Sequence, residues 1–557
     1  MKLANRRIRL LLVSFAFAFA AMFLRAAWLQ GVRAQDFDRL AQGQHEATVV
    51  DPAARGTIYD RSGVQLAIGR QATTVYANPR EIDDPRAVAL AVAKTLRIAP
   101  EPLVALLADR SRGFVHIARK ADPKRAKLLE EQQLPGLGFV PEEQRVYPQG
   151  RVAAQVLGYA GTDNRGLAGL ELALDRTLRG RAGRETVVRD PSGRAIEVLS
   201  STAAEQGQDV YLTLDHTLQA NAEAVLHATV QRWDAKAASA VVLDPRTGGI
   251  LAMAVERGYD ANRFPIVPRD YQRNRAVTDT YEPGSTFKVV TVSAALSERL
   301  VTPQTEFTLP YEIHVADRVI HDAHERGTER MTVDEIISQS SNVGTITLAQ
   351  LLGESRLSEW MQRFGFGRKT GVDYPGETRG IVPPLARWSG STIGTMPIGH
   401  GVAVTPVQMA AAYAAVANDG VWLRPHLVDR VGSNERVPVA SRRILSRGVA
   451  QQVMAMMRDV VVEGTGTAAA LPGYQVAGKT GTAAKPDPDG GYSKTRYVAS
   501  FVGVVPATDP RLVVLVTVDE PASAIWGGVV AAPAFAEIAR FGLQYLEIPP
   551  DAPTTMR

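Results

Sequence analysis

Three short strings constrain the fold of this chain more than any other feature, because they are far apart in sequence and chemically complementary. They are Ser285-Thr286-Phe287-Lys288, Ser340-Ser341-Asn342 and Lys479-Thr480-Gly481, which read S-x-x-K, S-x-N and K-T-G. S-x-x-K occurs once in the chain, and S-x-N follows it at a distance that suits two facing helices of one domain. A serine and two lysines work together only if the fold brings all three strings to one cleft.

The S-x-x-K string supplies a nucleophile and a base. A serine hydroxyl reacts poorly at neutral pH without a base, and no histidine lies near Ser285 in sequence. Pro283-Gly284 predicts a helix start, which puts Lys288 about one turn beyond Ser285 and aims free backbone N–H groups at a reacting carbonyl. Burial near a second cation, for which Lys479 is the candidate, lowers a lysine pKa towards the neutral form that a base needs. An ordinary surface helix is the alternative, and the two companion strings argue against it.

The K-T-G string occurs twice, and its setting decides which copy belongs to the site. Lys369-Thr370-Gly371 follows a helix-like stretch, Leu357 to Phe364, and leads into a Pro-Gly turn, so this copy is predicted to lie in a loop. Lys479 follows the strand-like Tyr474 to Ala477, and Tyr497 to Val502 predicts the next antiparallel strand. Because side chains alternate along a strand between substrate and core, we assign Lys479 to the site.

A phosphate-binding P-loop is a competing interpretation of the same region. Gly473 to Thr480 spells G-x-x-x-x-G-K-T. A P-loop runs from a strand through a glycine-rich loop into a helix. The residues after Thr480 include Pro486 and Pro488, which predicts that no helix follows. Nucleotide binding therefore survives only as a formal alternative.

The chain starts with a segment typical of a membrane anchor. An apolar run from Leu10 to Leu24, interrupted by Arg25 and resumed as Ala26 to Leu29, follows four basic residues: Lys2, Arg6, Arg7 and Arg9. The run spans a bilayer if Arg25 reaches the outer interface beside Trp28. A cleaved signal peptide is the alternative, but the run is long and lacks a clear cleavage site at its end. We predict a cytoplasmic tail (1–8), a single-pass anchor in the cytoplasmic membrane (9–30) and a catalytic part on its outer face.

Composition narrows the function classes. The 557 residues include no cysteine, which excludes disulfides, thiol catalysis and cysteine metal sites. The net charge is only +5 and the basic residues are scattered, so no nucleic-acid partner is predicted. With 45% hydrophobic residues, the exported part is large enough for two or more globular domains.

Two domains are predicted after the anchor. Residues 31–208 carry no catalytic constellation; they hold short strand-like runs such as Thr73 to Tyr76 and Glu185 to Val188, with helices at Pro85 to Leu96 and Pro123 to Gln132. We interpret them as a β-containing stalk, or pedestal. A boundary near Gln206-Gly207-Gln208 separates this stalk from a catalytic domain at 209–550.

The catalytic domain is predicted to contain one antiparallel sheet flanked by helices. Ser239 to Leu243 and Ile250 to Ala254 predict a hairpin. Strands near Lys479 and Val498 and from Leu512 to Val518 complete a sheet assembled from both ends of the domain, with the helical motifs between them. The fold class is therefore α+β: a membrane anchor, a β-containing stalk and a sheet-and-helix catalytic domain.

The motifs resemble those of the class B penicillin-binding proteins, and among these the FtsI-like division transpeptidases. The resemblance covers nearly the whole chain and extends to Arg55 to Gly63, Arg145 to Pro148, Gly166 to Glu171, Asn274 to Ala276 and Val404 to Gln408. One departure is Gly399-His400-Gly401, since relatives often carry an aromatic residue between the glycines. It leaves the substrate-side role of that loop open.

The resemblance implies roles for individual residues. The implied catalytic residues are Ser285, Lys288, Ser340, Asn342 and Lys479. The implied substrate-binding residues are Thr480, Gly481 and Thr482. Ser285 attacks the carbonyl between two terminal D-alanines, Lys288 takes its proton, Ser340 relays a proton and Asn342 orients the substrate amide and the base lysine. Lys479 and the threonine after it bind the terminal carboxylate, and the backbone N–H groups of Ser285 and the residue after K-T-G form the oxyanion hole.

The implied function is D,D-transpeptidation: crosslinking of peptidoglycan stem peptides, with release of D-Ala, during septal cell-wall synthesis. Inhibition by β-lactams and partnership with a SEDS-type glycosyltransferase such as FtsW, and with other division proteins, follow from the same resemblance. The anchor and stalk argue against a soluble β-lactamase. An elongation-type relative, a D,D-carboxypeptidase and a division scaffold with secondary activity remain alternatives.

Two further strings receive no chemistry. His321 to Glu325 contains metal-ligating residue types, but a polar loop is the preferred interpretation because no further ligand cluster supports a site. Gly464 to Thr467 is interpreted as the end of a helix that runs to about Val462. No metal and no cofactor are predicted.

Overall fold

The computed structural model describes residues 2–31, 33, 46–189, 195–433 and 436–552. The chain forms two compact units, one of residues 1–54 with 180–207 and the other of residues 55–179 with 208–557. The predicted stalk therefore contributes to both units. Its stretches 34–45 and 190–194 lie outside the described residues.

The smaller unit contains a long helix and a three-stranded antiparallel sheet. The helix, Lys2–Gly31, includes a stretch from Arg6 to Gly31 that is long and apolar enough to cross a membrane, and its large apolar side chains are exposed. It fits the predicted single-pass anchor. The strands of the sheet are, in spatial order, Glu46–Asp51, Gly183–Arg189 and Ala195–Thr202.

The stalk part of the larger unit is built on a twisted sheet whose longest strand is Gln65–Ala77. This strand pairs with Ile58–Tyr59, Val115–Ala121 and Leu137–Val146, all antiparallel. Three helices pack on one end of it: Pro85–Leu96, Pro100–Ala108 and Pro123–Glu130. Two of these helices begin with an aspartate cap followed by proline, Asp84-Pro85 and Asp122-Pro123, in which the carboxylate accepts helix N–H groups.

The stalk sheet continues into the predicted catalytic domain. Val210–Leu212 pairs in parallel with Ile58–Tyr59 and antiparallel with Val428–Val431. Asp60, at the end of the stalk strand, also accepts hydrogen bonds from the backbone N–H and Nδ1 of His216. Stalk and catalytic residues thus share one six-stranded sheet, which the sequence did not predict.

The catalytic sheet has five antiparallel strands, as predicted. In spatial order they are Ile250–Val255, Ala237–Leu243, Leu512–Asp519, Tyr492–Val505 and Ala477–Pro486. The central strands are buried along nearly their whole length because helices cover both faces, which explains their continuous apolar sequence. Ala477–Pro486 is an edge strand, so alternate backbone groups along it face away from the sheet.

Two layers of helices enclose this sheet. His216–Trp233 and Gly527–Tyr545 pack on one face. The other face packs against the core of the helical lobe, whose longer helices are Lys288–Ser297, Val333–Ser338, Asn342–Leu352, Glu354–Phe364, Pro406–Ala417 and Arg447–Val462. The layered arrangement confirms the predicted α+β fold of a β-containing stalk followed by a sheet-and-helix domain.

Short elements complete the larger unit. The short helices are Ala154–Leu157, Gly169–Ala173, Asp175–Arg179, Arg269–Gln272, Arg275–Thr278 and Thr392–Thr395. Single 3-10 turns lie at Pro79–Glu81, Ala261–Ile266, Gly284–Phe287, Leu385–Arg387, Met396–Ile398 and Thr467–Ala469. Four two-stranded ladders pair Tyr159–Ala160 with Gly166–Ala168, Glu306–Leu309 with Glu329–Thr332, Glu312–Val315 with Arg318–His321, and Val421–Leu423 with Ser441–Arg443.

Candidate active site

Ser285 lies in a tight turn directly ahead of a buried helix. Gly284–Phe287 forms a 3-10 turn and the helix proper starts at Lys288. The hydroxyl of Tyr413 donates a 2.8 Å hydrogen bond to the carbonyl of Thr286, which fixes the turn from below. Because side chains three residues apart line up in a 3-10 turn, Ser285 and Lys288 share a face, as predicted.

The side chain of Lys288 is fully buried and points to the S-x-N string. Its Nζ donates to the carbonyl oxygen of Ser340 at 2.5 Å, to the hydroxyl of Ser340 at 3.2 Å and to Oδ1 of Asn342 at 2.7 Å. Burial lowers the pKa of Lys288 to about 7, and the charge of Asp322 opposes that shift. A substantial fraction of this amine is therefore neutral near pH 7, as a general base requires.

The S-x-N string forms a strained connection between two helices. Ser340 follows Val333–Ser338 and has a φ of 62°, a conformation that costs energy in a residue other than glycine. Ser341 caps the next helix by accepting a hydrogen bond from the N–H of Gly344 at 2.9 Å. This bend turns both the carbonyl and the hydroxyl of Ser340 towards Lys288.

Lys479 lies on the edge strand, as its setting predicted. Lys479 pairs with Val502 across the sheet, and its side chain is fully buried. Within the described residues, its Nζ makes only long contacts of 3.4 Å, to the carbonyl and hydroxyl of Thr480. Burial, and then the charge of Lys288, hold the pKa of Lys479 well below its usual value. The charge of Lys288 thus acts on Lys479, whereas the sequence led us to expect Lys479 to lower the pKa of Lys288, for which burial is the cause.

The glycine of K-T-G permits the strand to approach the nucleophile turn closely. A Cβ on Gly481 would lie 2.8 Å from the carbonyl oxygen of Pro283 and 2.9 Å from a methyl carbon of Thr286. A Cβ on Gly284 would lie 2.8 Å from the carbonyl oxygen of Thr482. Together with the Lys288 contacts, these approaches show that the fold brings all three strings to one cleft.

One expected contact is absent. Among the residues that the structure describes, the hydroxyl of Ser285 has no hydrogen-bond partner, and Lys288 Nζ is directed to Ser340 and Asn342 instead. Hydrogen bonds between nucleophile and base often tighten only when substrate is bound. The candidate base is thus directed to the S-x-N string, and the hydroxyl of the candidate nucleophile is unpaired among the described residues.

Two residues that the sequence reasoning missed lie at this cleft. The hydroxyl of Thr465 is 2.7 Å from the hydroxyl of Thr480, so the string Gly464 to Thr467, to which no chemistry was assigned, reaches the K-T-G strand. Asp322 is only 5% exposed and binds the start of the helix that carries Asn342, so its loop is not simply a polar surface loop. Proximity to S-x-N along the chain was the one available signal for Asp322.

The Gly399-His400-Gly401 loop borders the other end of the cleft. Glu282, three residues before Ser285, accepts hydrogen bonds from His400 Nδ1 at 2.9 Å, from the N–H of Gly401 at 3.0 Å and from the hydroxyl of Tyr492 at 3.1 Å. A cavity of about 470 Å³ lies beside this carboxylate. His400 is therefore a hydrogen-bond partner of Glu282.

Neither the second K-T-G copy nor the P-loop interpretation accounts for the cleft. Lys369-Thr370-Gly371 lies in a loop, where the backbone and hydroxyl of Thr370 bind Glu377. The residues after Thr480 continue as a strand to Pro486, so the P-loop interpretation is wrong. The K-T-G copy that lies beside the S-x-x-K and S-x-N strings is the one at Lys479.

One cluster in the described part of the chain combines three metal-ligating side chains. Ligand atoms of Asp60, Asp215 and His216 lie within 4.8 Å of one another. Protein donors already occupy the carboxylates: Asp60 accepts from Ser62 and Val64, and Asp215 caps the helix that starts at His216. The arrangement serves hydrogen bonding between the stalk strand and a catalytic-domain helix.

Known proteins share both the sequence and the fold of this chain. Residues 50–212 match the penicillin-binding protein dimerisation domain and residues 238–540 match the penicillin binding protein transpeptidase domain. The chain is 34% identical to the peptidoglycan D,D-transpeptidase FtsI of Escherichia coli K12, over 99% of this chain and 93% of that protein. It is 35% identical to the probable peptidoglycan D,D-transpeptidase PenA of Neisseria meningitidis, over 99% of this chain and 95% of that protein.

A solved structure supports the same relationship. Penicillin binding protein 3 from Mycobacterium tuberculosis, crystallised with aztreonam, superposes with a TM-score of 0.72 at 32% identity, covering 91% of this chain and 100% of that chain. The two family matches and these full-length likenesses confirm the resemblance drawn from the motifs. The chain therefore belongs to the class B penicillin-binding proteins, and its transpeptidase domain makes it an enzyme of their FtsI-like group.

Proposed function

We propose that this protein is a serine-type peptidoglycan D,D-transpeptidase that crosslinks stem peptides during septal wall synthesis and is inhibited by β-lactams. The observation that carries the proposal is the buried Lys288, whose pKa of about 7 and shared face with Ser285 provide a neutral base for a serine nucleophile. The full-length similarity of the chain to FtsI supports stem peptides as the substrate and septal synthesis as the role.

Acylation begins when the hydroxyl oxygen of Ser285 attacks the carbonyl carbon between the two terminal D-alanines. The hydroxyl proton passes to Lys288, and the C–N bond then breaks. The hydroxyl of Ser340, 3.2 Å from Lys288 Nζ, carries that proton to the leaving D-Ala amine. The products are free D-Ala and a stem peptide held as an ester on Ser285.

The remaining site residues hold the substrate. Lys479 and Thr480 bind the terminal carboxylate, which supplies the countercharge that the buried Lys479 lacks. Asn342 orients the substrate amide and Lys288, while Gly481 lets the strand approach. Backbone N–H groups of Ser285 and Thr482 stabilise the oxyanion.

Deacylation completes the crosslink. The amine of a second stem peptide attacks the ester carbonyl, loses its proton through Ser340 to Lys288, and forms the new amide while the proton returns to Ser285. Water in place of the amine gives a carboxypeptidase. Purified full-length protein should therefore join a donor stem to a D-amino acid acceptor; hydrolysis alone would favour the carboxypeptidase alternative.

Covalent labelling tests the nucleophile. The full-length chain in detergent should bind a fluorescent penicillin, and Ser285→Ala should abolish labelling. Ser297→Ala is the matched control, because Ser297 ends the same helix but belongs to no motif. Labelling that persists in Ser285→Ala would contradict the proposal.

The septal role and the partners also belong to the proposal. We place the protein with an FtsW-like SEDS glycosyltransferase and other division proteins, so depletion should produce filaments without septa. Loss of rod shape without filamentation would favour the elongation-type alternative. A Ser285→Ala strain that divides normally would favour a scaffold.

Orientation and domain limits are proposed as predicted: a tail at 1–8, an anchor at 9–30, a stalk at 31–208 and a transpeptidase domain at 209–550, with the last two on the outer face. Because the chain contains no cysteine, single-cysteine variants report exposure cleanly. A maleimide that cannot cross the cytoplasmic membrane should label Gly448→Cys, but not Lys2→Cys, in cells whose cytoplasmic membrane is intact. The reverse pattern would contradict the orientation.

A further inference from the structure

Asp322 holds the start of the helix that carries Asn342. Its Oδ1 accepts hydrogen bonds from the backbone N–H of Asn342 at 2.5 Å and of Val343 at 3.0 Å, and both carboxylate oxygens accept from the hydroxyl of Ser341 at 3.1 Å. The first N–H groups of a helix have no partner within the helix, and a negative charge there is favourable. The carboxylate is thus bound to Ser341 and to the two residues after it.

The position of this carboxylate is itself fixed. Arg326 donates to Asp322 Oδ2 from Nη2 at 2.6 Å and from Nε at 3.0 Å. Arg326 also donates from Nη1 to the carbonyl of Leu309 at 2.9 Å, which ties the loop to the neighbouring hairpin. Both side chains are largely buried, so the pair is a rigid support instead of a mobile surface contact.

The same loop reaches the catalytic amide. The carbonyl of His321 accepts a 2.9 Å hydrogen bond from Nδ2 of Asn342, which leaves Oδ1 of Asn342 for Lys288 at 2.7 Å. Ser340, with its φ of 62°, precedes these bound residues. Residues 321 and 322 therefore determine where the acceptors of Lys288 lie, although neither touches the lysine through a hydrogen bond among the described residues.

We propose that Asp322 is a positioning residue for acylation, whose carboxylate holds the Ser340 to Asn342 turn against Lys288. This inference rests on the proposed role of Lys288. The groups that face Lys288 are Ser340, Asn342, the cation Lys479 and, behind the turn, Asp322 with its partner Arg326.

The direction of the pH effect follows from the charges. Burial lowers the pKa of Lys288 and Asp322 opposes the shift, so removal of the carboxylate charge lowers that pKa further. Acylation needs the neutral amine of Lys288, so the acylation rate rises as the pH passes through the pKa of Lys288. Loss of the charge therefore moves the rise to lower pH.

The test is the pH dependence of acylation of the full-length protein by a fluorescent penicillin. Asp322→Asn should lower the plateau rate by about 10-fold, because the turn loses its anchor, and should shift the midpoint down. Asp322→Glu keeps the charge and should lower the rate while leaving the midpoint at the wild-type value. It also keeps the proposal testable if the asparagine variant fails to fold.

Asp215→Asn is the matched control, since Asp215 caps another helix of the same unit, His216–Trp233, away from the motifs. It should leave both plateau and midpoint unchanged. A folded Asp322→Asn protein with the wild-type midpoint, or an Asp215→Asn protein with the same shift, would overturn the inference. Wild-type protein that is not labelled at Ser285 would instead overturn the proposed function.

Discussion

Two buried clusters of charge in the larger unit are built on opposite principles. In the stalk, Arg55 binds Glu171 and Asp175, and Arg145 binds Glu171, at N–O distances of 2.6–2.7 Å. In the active site, Lys288 and Lys479 are equally buried, yet neither forms an ion pair within the described residues. We infer that a cation paired with carboxylates serves the fold, whereas a buried lysine without a carboxylate partner is available for substrate binding and proton transfer.

The pKa values express the same contrast. In the stalk, burial acts to lower the pKa of Arg55, but Glu171 and Asp175 outweigh it and the pKa is raised. In the active site, burial dominates and the pKa values of both lysines fall. Arg55 therefore stays charged, while the pKa of Lys288 lies near neutral pH.

The largest expected effect on the acylation rate comes from replacing Lys288, the proposed base. Lys288→Met should reduce penicillin acylation by about 10³-fold, the range expected for loss of a general base. It should not destabilise the fold, because it removes a buried charge. Stopped-flow labelling and urea unfolding measure the two quantities. A strongly destabilised variant would show that Lys288 serves the fold after all.

The stability gain of Lys288→Met should depend on pH. The unfolded lysine titrates at 10.5 and the folded one at about 7, so the unfolded state binds more protons between these values. The cost of burying Lys288 in the wild type therefore grows as pH falls from 10.5 to about 7. Unfolding free energies measured at three pH values across this window check the sign.

Breaking the stalk cluster should have the opposite signature. Glu171→Gln removes the carboxylate charge that pairs with the buried guanidinium groups of Arg55 and Arg145. It should lower the unfolding free energy by about 3–5 kcal/mol. The fraction that remains folded should acylate at the wild-type rate, since Glu171 lies outside the cleft. Exposed Glu205→Gln is the control. A folded Glu171→Gln protein that acylates slowly would show that the stalk cluster also affects catalysis, which contradicts this comparison.

Lys479 sharpens the comparison because its proposed counter-ion is the terminal carboxylate of the substrate. Lys479→Met should lower kcat/KM for a peptide donor by about 10–100-fold, the value of a hydrogen bond to a charged group. An ester donor without the terminal carboxylate should lose less. Steady-state kinetics with both donors decide the matter, and equal losses would show that Lys479 does not bind the carboxylate.

The smallest effect is expected at Thr465. Thr465→Val removes the hydroxyl that lies 2.7 Å from Thr480 and should reduce the acylation rate several-fold, in keeping with about 1 kcal/mol for one hydrogen bond. Thr467→Val, two residues on, is the control and should acylate normally. Identical rates for the two variants would remove Thr465 from the site.

Most of the features that could be predicted from the sequence depend on local residue patterns. The strand at Lys479, the hairpin at Ser239 to Ala254 and the loop at Lys369 follow from alternation and turn residues, which act over a few positions. The roles of Asp322 and Thr465 depend on contacts of side chains that distant segments bring together. The same is true of Arg55 and Glu171, whose pairing across 116 positions no local pattern encodes.

The shared stalk sheet decides where this chain can be cut. A fragment that begins at residue 209 keeps every catalytic string but strips Ile58–Tyr59 from the strand Val210–Leu212. The exposed edge then offers unpaired N–H and C=O groups to any other strand, which is a route to aggregation. A fragment that starts ahead of Glu46 retains this ladder and the one between Glu46–Asp51 and Gly183–Arg189. The smallest piece able to stand alone is therefore defined by backbone hydrogen bonds and not by the limits of the catalytic motifs.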